Sequence, residues 1–165
     1  MNYETTKLGL LAMAIGFAVS CMPAPMGGNT PGSGTQMPPS IIDPYLAIQE
    51  ALAQDSTDGI KANSGKIGTA ATALGAPAMK IQTSALQLSG SIGAEEADMD
   101  IKVVRQRFGA LSEAIDTYMT GLKLTLPDGV AVAYCPMEKK PWIQRGDQLA
   151  NPYYGKEMPT CGSFR

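Results

Sequence analysis

Two cysteines near the end of the chain each have a methionine close by, as Cys135-x-Met137 and Met158-x-x-Cys161. In an extended segment residues i and i+2 lie on one face, so Cys135 and Met137 can point the same way. Residues i and i+3 approach each other in a tight turn, so Met158 and Cys161 can also converge. Two thiols and two thioethers form a soft donor set, which selects Cu(I) over hard cations. These residue types therefore predict a Cu(I) site.

A disulfide between Cys135 and Cys161 is the main competing interpretation of the same residues, and two free buried thiols are a third. It would join the C-terminal segment to the rest of the domain, with Met137 and Met158 as core residues. Closing a loop of this length would contribute about 3 kcal/mol to stability. The two interpretations are compatible, because an oxidised pair can be the resting form of a metal-free site.

The chain contains no histidine, which excludes zinc and Cu(II) sites that are built on imidazole. It also excludes the Ser/His and Cys/His pairs of nucleophilic enzymes. With a net charge of −2 and no cluster of Lys and Arg, the chain lacks the basic surface that nucleic-acid binding needs. We therefore expect neither an enzyme nor a nucleic-acid-binding protein.

Aromatic and turn-forming residues surround the four sulfur-bearing positions. Five of them are candidates for the wall of the site: Tyr134, Trp142, Asn151, Tyr153 and Tyr154. In the functional interpretation the rings exclude water and contact the sulfurs or the cation. In the alternative they form the small hydrophobic core of a loop-rich cap. The pairs Asn151-Pro152 and Tyr154-Gly155 are typical of turns, which would position Met158.

This segment resembles a bacterial family that is known as a domain of unknown function. The motifs that carry the resemblance are Tyr-Cys-Pro-Met at 134–137, Trp at 142, Asn-Pro-Tyr-Tyr-Gly at 151–155 and Met-x-x-Cys-Gly at 158–162. The resemblance is close from Val132 to Gly162. From about Asp43 to Leu122 it rests on the order of elements and on Arg107-Phe108. Members occur as small secreted proteins or lipoproteins, and at the C-terminus of periplasmic adaptors of copper/silver efflux systems.

The resemblance implies a copper-related periplasmic module. Together with the donor set, it predicts a membrane-tethered protein that binds Cu(I) as a chaperone, a buffer or an accessory to heavy-metal efflux. Its partners would be the metal ion and an efflux adaptor or another envelope protein, and the metal would not be required for folding. The alternative function is a structural or interaction lipoprotein that is held by the Cys135–Cys161 disulfide.

Residues 1–20 have the features of a signal peptide. The apolar run from Leu8 to Val19 is too short to span a bilayer, but it suits the hydrophobic region of a signal. Ala18-Val-Ser-Cys21 resembles a bacterial lipobox, and acylation of Cys21 would leave an even pair of cysteines in an oxidising compartment. We therefore expect a lipid anchor in the outer membrane, facing the periplasm; the alternatives are ordinary secretion with cleavage nearby and a free Cys21.

The next stretch, up to residue 40, is rich in Pro, Gly, Ser and Thr. Such a composition buries too little apolar surface to fold, so we predict residues 21–42 as a lipid anchor and a disordered tether. Met22, Met26 and Met37 would then be incidental residues of a linker rather than Cu(I) ligands.

Four helical patterns follow, the first of which begins at Asp43-Pro44, a capping residue followed by proline. The clearest runs from Ile101 to Leu122 with i, i+3, i+4, i+7 spacing, and places Phe108 and Leu111 in the core. Short connections predict a mainly α fold in which residues 43–124 form an antiparallel four-helix bundle. Residues 125–165, which include the strand-like run 130–135, would form a short β/loop-rich C-terminal cap.

Overall fold

Four α-helices and a three-stranded antiparallel sheet make up the part of the chain that the computed structural model describes, residues 35–90 and 100–165. The helices are α1 (Pro39–Ala53), α2 (Ile60–Leu74), α3 (Met79–Gly90) and α4 (Ile101–Leu122). The strands are β1 (Val130–Cys135), β2 (Lys140–Arg145) and β3 (Ser163–Phe164), in the sheet order β2-β1-β3. Short 3-10 helices lie at Ala76–Ala78 and Gly155–Glu157.

The prediction of an antiparallel four-helix bundle with a loop-rich cap is wrong. Helix α1 packs on α2, α2 on α3 and α3 on α4, but strand β2 packs on both α4 and α1. The sheet is therefore part of the main core rather than a cover over a bundle. Burial explains the difference, because four consecutive residues of β2, from Pro141 to Gln144, are buried. Their sequence does not alternate, so it does not resemble a strand with one face in water.

The local helix signals hold at α4 and fail at the start of α1. Helix α4 has the predicted bounds, and its N-cap residue Asp100 accepts a hydrogen bond from the main-chain N–H of Lys102 at 2.9 Å. Helix α1 begins one turn before Asp43, because Ile41 and Ile42 are buried and attach that turn to the core. Residues 39–42 are therefore part of the folded domain rather than of a tether.

Met37 also lies in the core, just before α1. Its side chain is fully buried, and its main-chain N–H donates to the carbonyl of Thr125 at 2.9 Å. The neighbouring residue Gln36 forms an isolated parallel bridge with Thr125. Met37 is thus a structural residue that fixes the entry of the chain into α1.

The core is centred on a row of aromatic rings that runs from the helices to the C-terminal segment. Tyr45 of α1 stacks on Phe108 of α4 with the ring centroids 5.1 Å apart. Phe108 lies 5.9 Å from Tyr153, which meets Trp142 of β2 edge-on at 6.1 Å. The segment that contains Tyr153 is therefore anchored in the same core as the helices.

Residues 1–34 and 91–99 lie outside the described part of the chain. The predictions of a signal peptide, of acylation at Cys21 and of most of the tether fall on them. Across the described ranges, none of the helices is long and apolar enough to cross a membrane.

Candidate dithiol site

The structure brings Cys135 and Cys161 together at one end of the sheet. Cys135 is the last residue of β1 and is fully buried, whereas Cys161 precedes β3 and is half-buried. Strand β3 pairs with β1 in a register that aligns Ser163 with Tyr134, which brings the residues before β3 to the end of β1. Both cysteines are free thiols.

Two N–H groups donate to the sulfur of Cys135. The main-chain N–H of Glu138 and the side-chain amide of Asn151 each lie 3.5 Å from Sγ. The same amide donates to the carbonyl of Cys161 at 2.6 Å. Asn151 is fully buried, so its side chain bridges the two cysteines from within the protein.

Asn151 is itself held in a turn that its own side chain stabilises. Its Oδ1 accepts a hydrogen bond from the main-chain N–H of Tyr153 at 2.8 Å, the pattern of an Asx turn. Its carbonyl accepts from Gly155 at 2.9 Å, and its N–H donates to the carbonyl of Pro159 at 2.8 Å. The Asn-Pro-Tyr-Tyr-Gly motif therefore fixes the amide that faces the thiols.

The two methionines differ in their placement. Met158 is half-buried, and its carbonyl accepts a hydrogen bond from the N–H of Cys161 at 3.2 Å, so residues 158–161 form the turn that the spacing predicts. Met137 lies in the turn between β1 and β2 and is 58% exposed. Because β1 ends at Cys135, Met137 does not share an extended segment with Cys135. Of the four predicted ligands, the two cysteines are therefore the pair that the sheet brings to one place.

Trp142 and Gly162 close the site on the side of the sheet. The Trp142 side chain is fully buried, and its Nε1 donates to Oε1 of Gln144 at 2.8 Å. Gly162 has φ +149°, and a Cβ there would lie 2.5 Å from the Trp142 ring and 2.8 Å from the carbonyl of Tyr134. Glycine is therefore required directly after Cys161.

The three tyrosines of the predicted wall have separate roles. Tyr153 is buried and donates to the carbonyl of Pro141 at 2.5 Å. Tyr154 is half-buried and donates to Oε1 of Glu138 at 3.0 Å. Tyr134 is half-buried below the guanidinium of Arg165, which lies 6.0 Å from the ring centroid. Of the three only Tyr153 is a core residue, so the tyrosines divide into one buried ring and two rings that reach the surface.

Arg105 of α4 holds the 151–155 turn of the site in place, although no sequence motif predicted this role. Its guanidinium donates to the carbonyls of Pro152 at 2.9 Å and Leu52 at 3.0 Å. It also forms an ion pair with Asp55 at 2.6 Å and holds the pKa of that carboxyl below its ordinary value of 3.8. Arg105 precedes Phe108 by three residues on α4, and this spacing was the available hint that it faces the core.

Gly155 allows this ion pair to lie directly against the motif. Its φ is +56°, and a Cβ at this position would overlap the carboxylate of Asp55 and the guanidinium of Arg105. The next residue, Lys156, donates its main-chain N–H to Asp55 at 3.3 Å. The turn after Tyr154 is thereby attached to both α1 and α4.

The thiols themselves suit a soft ion better than a hard one. Partial burial raises the pKa of the Cys161 thiol above its ordinary value of 9.0, and the adjacent Cys135 adds to the rise. Within the described ranges, no group of three or more His, Cys, Asp or Glu side chains is placed to hold a metal. A metal at this site would therefore depend on sulfur, and sulfur donors favour Cu(I).

Comparison of the chain with protein-family models, with curated proteins and with solved structures found no match. The resemblance of residues 132–162 to a bacterial family known as a domain of unknown function therefore stays a prediction from the residues themselves.

Proposed function

We propose that this protein binds Cu(I) through Cys135 and Cys161, as a chaperone, a buffer or an accessory module of heavy-metal efflux. The observation that carries the proposal is the placement of Cys135 and Cys161 at one end of the sheet, where the side-chain amide of Asn151 donates to the Cys135 sulfur and to the Cys161 carbonyl. Thiolates are the ligands that select Cu(I), and the chain offers no imidazole that would favour zinc or Cu(II).

The neighbouring donors support the same function. Two thiolates around a monovalent ion leave one excess negative charge, which needs hydrogen-bond donors when it is buried. The N–H of Glu138 and the amide of Asn151 already donate to the sulfur of Cys135. Met137 and Met158 would add weaker thioether contacts, which tune selectivity and exchange rather than set affinity.

Competition for Cu(I) against a chromophoric chelator, under reducing conditions, tests this function. We expect Cys135→Ser and Cys161→Ser to abolish tight binding, because a serine hydroxyl is neither soft nor ionised at neutral pH. Met137→Leu and Met158→Leu nearly conserve volume, so they should lower the affinity by a smaller factor. Met79→Leu is the matched control, since Met79 lies exposed on α3.

Failure of the wild-type protein to compete for Cu(I), or equal binding by all four site variants, would contradict the copper function.

The same placement of Cys135 and Cys161 at one end of the sheet also favours a second function, that of a non-catalytic structural or interaction lipoprotein. Here a Cys135–Cys161 disulfide would join β1 to the last segment and contribute about 3 kcal/mol. Thiol titration with and without reductant separates the two functions. Two free thiols that Cu(I) protects from the reagent support copper binding, whereas a stable disulfide in a protein that binds no copper after reduction supports the structural function.

Anchoring through Cys21 in the periplasmic leaflet of the outer membrane is part of the proposal, and its support is the lipobox-like sequence 18–21. Cys21→Ser should release the protein into the soluble periplasmic fraction. Unchanged membrane association of this variant would contradict the lipid anchor without affecting the copper site.

A further inference from the structure

The two cysteines of the candidate dithiol site lie in different surroundings. Cys135 is fully buried at the end of β1, the central strand of the sheet. Cys161 is half-buried and precedes β3, a strand of two residues that are both exposed. A molecule that approaches the site from solvent therefore meets Cys161 before it meets Cys135.

The hydrogen bonds of the site are also divided unequally between the two cysteines. The sulfur of Cys135 accepts from the main-chain N–H of Glu138 and from the side-chain amide of Asn151, each at 3.5 Å. The same amide reaches Cys161 at its main-chain carbonyl, 2.6 Å away, rather than at its sulfur. Because N–H donors stabilise negative charge on a buried acceptor, the site stabilises a copper-bound thiolate at Cys135 more than at Cys161.

Asn151 keeps this inequality in place. The residue is fully buried, and its Oδ1 accepts from the main-chain N–H of Tyr153 at 2.8 Å. Rotation of the amide toward the sulfur of Cys161 would break this hydrogen bond and leave buried polar groups without partners, which is costly. The donating side of the amide is therefore fixed on Cys135.

We propose that the two thiols have unequal roles in the release of copper. Cys135 is the ligand that retains Cu(I), and Cys161 is the ligand that the cysteine thiol of an acceptor replaces first. This inference rests on the proposed copper function and adds to it the order of ligand exchange and the chemistry of the acceptor, because a thiolate is the ligand that competes for Cu(I).

The transfer is a sequence of two ligand exchanges. In the first, the sulfur of an acceptor thiol bonds to copper, the bond between copper and the Cys161 sulfur breaks, and Cys161 takes up the proton that the acceptor thiol loses. A second acceptor thiol then replaces Cys135 in the same way. Copper remains Cu(I) throughout, so the transfer needs neither an oxidant nor a reductant.

A matched pair of variants, Cys161→Ser and Cys135→Ser, tests the unequal roles. Each reduced variant receives one equivalent of Cu(I) and an excess of glutathione, which supplies the thiolate that the variant lacks. Native mass spectrometry then measures the copper that stays on the protein. We expect Cys161→Ser to retain copper together with one glutathione, and Cys135→Ser to retain about tenfold less, as one hydrogen bond to a charged sulfur would provide. The double variant Cys135→Ser/Cys161→Ser is the control for copper bound elsewhere and should retain none.

A second measurement uses the wild-type protein, so it does not depend on the folding of a variant. The protein with one equivalent of Cu(I) is treated with iodoacetamide, and peptide mass spectrometry gives the alkylation rate of each cysteine. Each rate is divided by the rate of the same cysteine in the metal-free protein unfolded in urea, which removes the difference in intrinsic reactivity. Cys161 should be alkylated about tenfold faster than Cys135 after this correction.

Three results would overturn the proposal. The first is copper retention by Cys135→Ser that equals or exceeds retention by Cys161→Ser. The second is loss of copper from both single variants while the wild-type protein binds it, because Cys135 would then not retain the ion. The third is an equal corrected alkylation rate of the two cysteines in the wild-type protein. A wild-type protein that binds no Cu(I) would instead contradict the copper function, and this proposal with it.

Discussion

Two regions of the molecule are stabilised by different interactions. One is the pair of helices α2 and α3, and the other is the C-terminal segment from β1 onward. The contact between α2 and α3 is built from small side chains: a Cβ at Gly68 would lie 3.4 Å from Leu86, and Ala71 and Ala85 are buried. The C-terminal segment is held by polar side chains with specific partners. Packing is the main stabilising contribution in the first region. In the second region, hydrogen bonds of buried polar groups add to the packing.

Gln144 shows how specific the second region is. Its Oε1 accepts from Trp142 Nε1 at 2.8 Å and from the N–H of Ala150 at 3.0 Å, and its Nε2 donates to the carbonyl of Gln148 at 2.6 Å. From α1, Gln49 donates to the carbonyl of Ala150 at 2.7 Å. Polar residues in such positions are difficult to exchange, because each substitution leaves several partners without a hydrogen bond.

Phe108→Ala should cause the largest loss of stability, because Phe108 joins α1 to the C-terminal segment through its contacts with Tyr45 and Tyr153. We expect a loss of about 3–5 kcal/mol, measured by urea unfolding. The control Leu122→Ala, at a side chain that is 49% exposed, should lose less than about 1 kcal/mol. A loss below about 1 kcal/mol in Phe108→Ala would show that the aromatic row is not the centre of the core.

Asn151→Ala tests the claim that polar contacts hold the C-terminal segment. It removes the partners of the Cys135 sulfur, the Cys161 carbonyl and the Tyr153 N–H, so we expect a loss of about 2–3 kcal/mol. In Ser64→Ala, which removes a buried hydroxyl that donates to Ile60 within α2 at 2.7 Å, the loss should stay near 1 kcal/mol or below, roughly the value of one hydrogen bond. Equal losses in the urea unfolding of the two variants would remove the distinction between the regions.

Alkaline pH should destabilise the protein through Tyr45 and Tyr153. Burial raises the pKa of both phenols above their ordinary value of 10.0. Their contribution is therefore complete below pH 10.0 and is lost as the pH rises toward the folded-state pKa, by about 1.4 kcal/mol per pH unit for each phenol. Urea unfolding at pH 8 and pH 11 measures the fall, which Tyr153→Phe should reduce and Tyr118→Phe should leave intact. An unchanged free energy of unfolding between these pH values would contradict the burial of the two hydroxyl groups.

The smallest expected effect concerns the ion pair of Asp55 with Arg105. Because the pKa of Asp55 is lowered in the folded protein, the stabilisation is present above pH 3.8 and is lost as the pH falls through the folded-state pKa. Solvent screens this partly exposed pair, so we expect at most about 1 kcal/mol. Asp55→Asn should remove that part of the acid dependence, whereas Asp58→Asn should not. Identical acid unfolding curves for wild type and Asp55→Asn would show that the pair does not fasten the Gly155 turn.

The elements that the sequence predicts well are those that local signals define. Helix α4 follows from its periodicity, and the burial of Phe108 and Leu111 that this periodicity predicts is confirmed. Strand β1 follows from the apolar run 130–135. Strand β2 was missed because Pro141 and its polar neighbours do not show the residue pattern of a strand. The sheet, which makes the fold differ from a closed helix bundle, was missed with it.

The residues of the site likewise form two groups: those that the sequence spacing predicts, and those that only the three-dimensional fold brings together. The turn at 158–161 follows from the i, i+3 spacing of Met158 and Cys161. Met137 was assigned by extending β1 beyond Cys135, where the strand ends. Arg105 was missed because two of its partners are main-chain carbonyls from distant segments, and no sequence pattern marks such acceptors.

X-ray absorption at the copper edge tests the central claim most directly, because it identifies the atoms that coordinate the ion. We expect the reduced protein with one equivalent of Cu(I) to show only sulfur in the first coordination shell. Cys161→Ser should replace or lose that sulfur shell, whereas Met79→Leu should keep it. A first shell of nitrogen or oxygen in the wild-type protein, or a sulfur shell unchanged in Cys161→Ser, would contradict the assignment of Cys135 and Cys161 as the copper ligands.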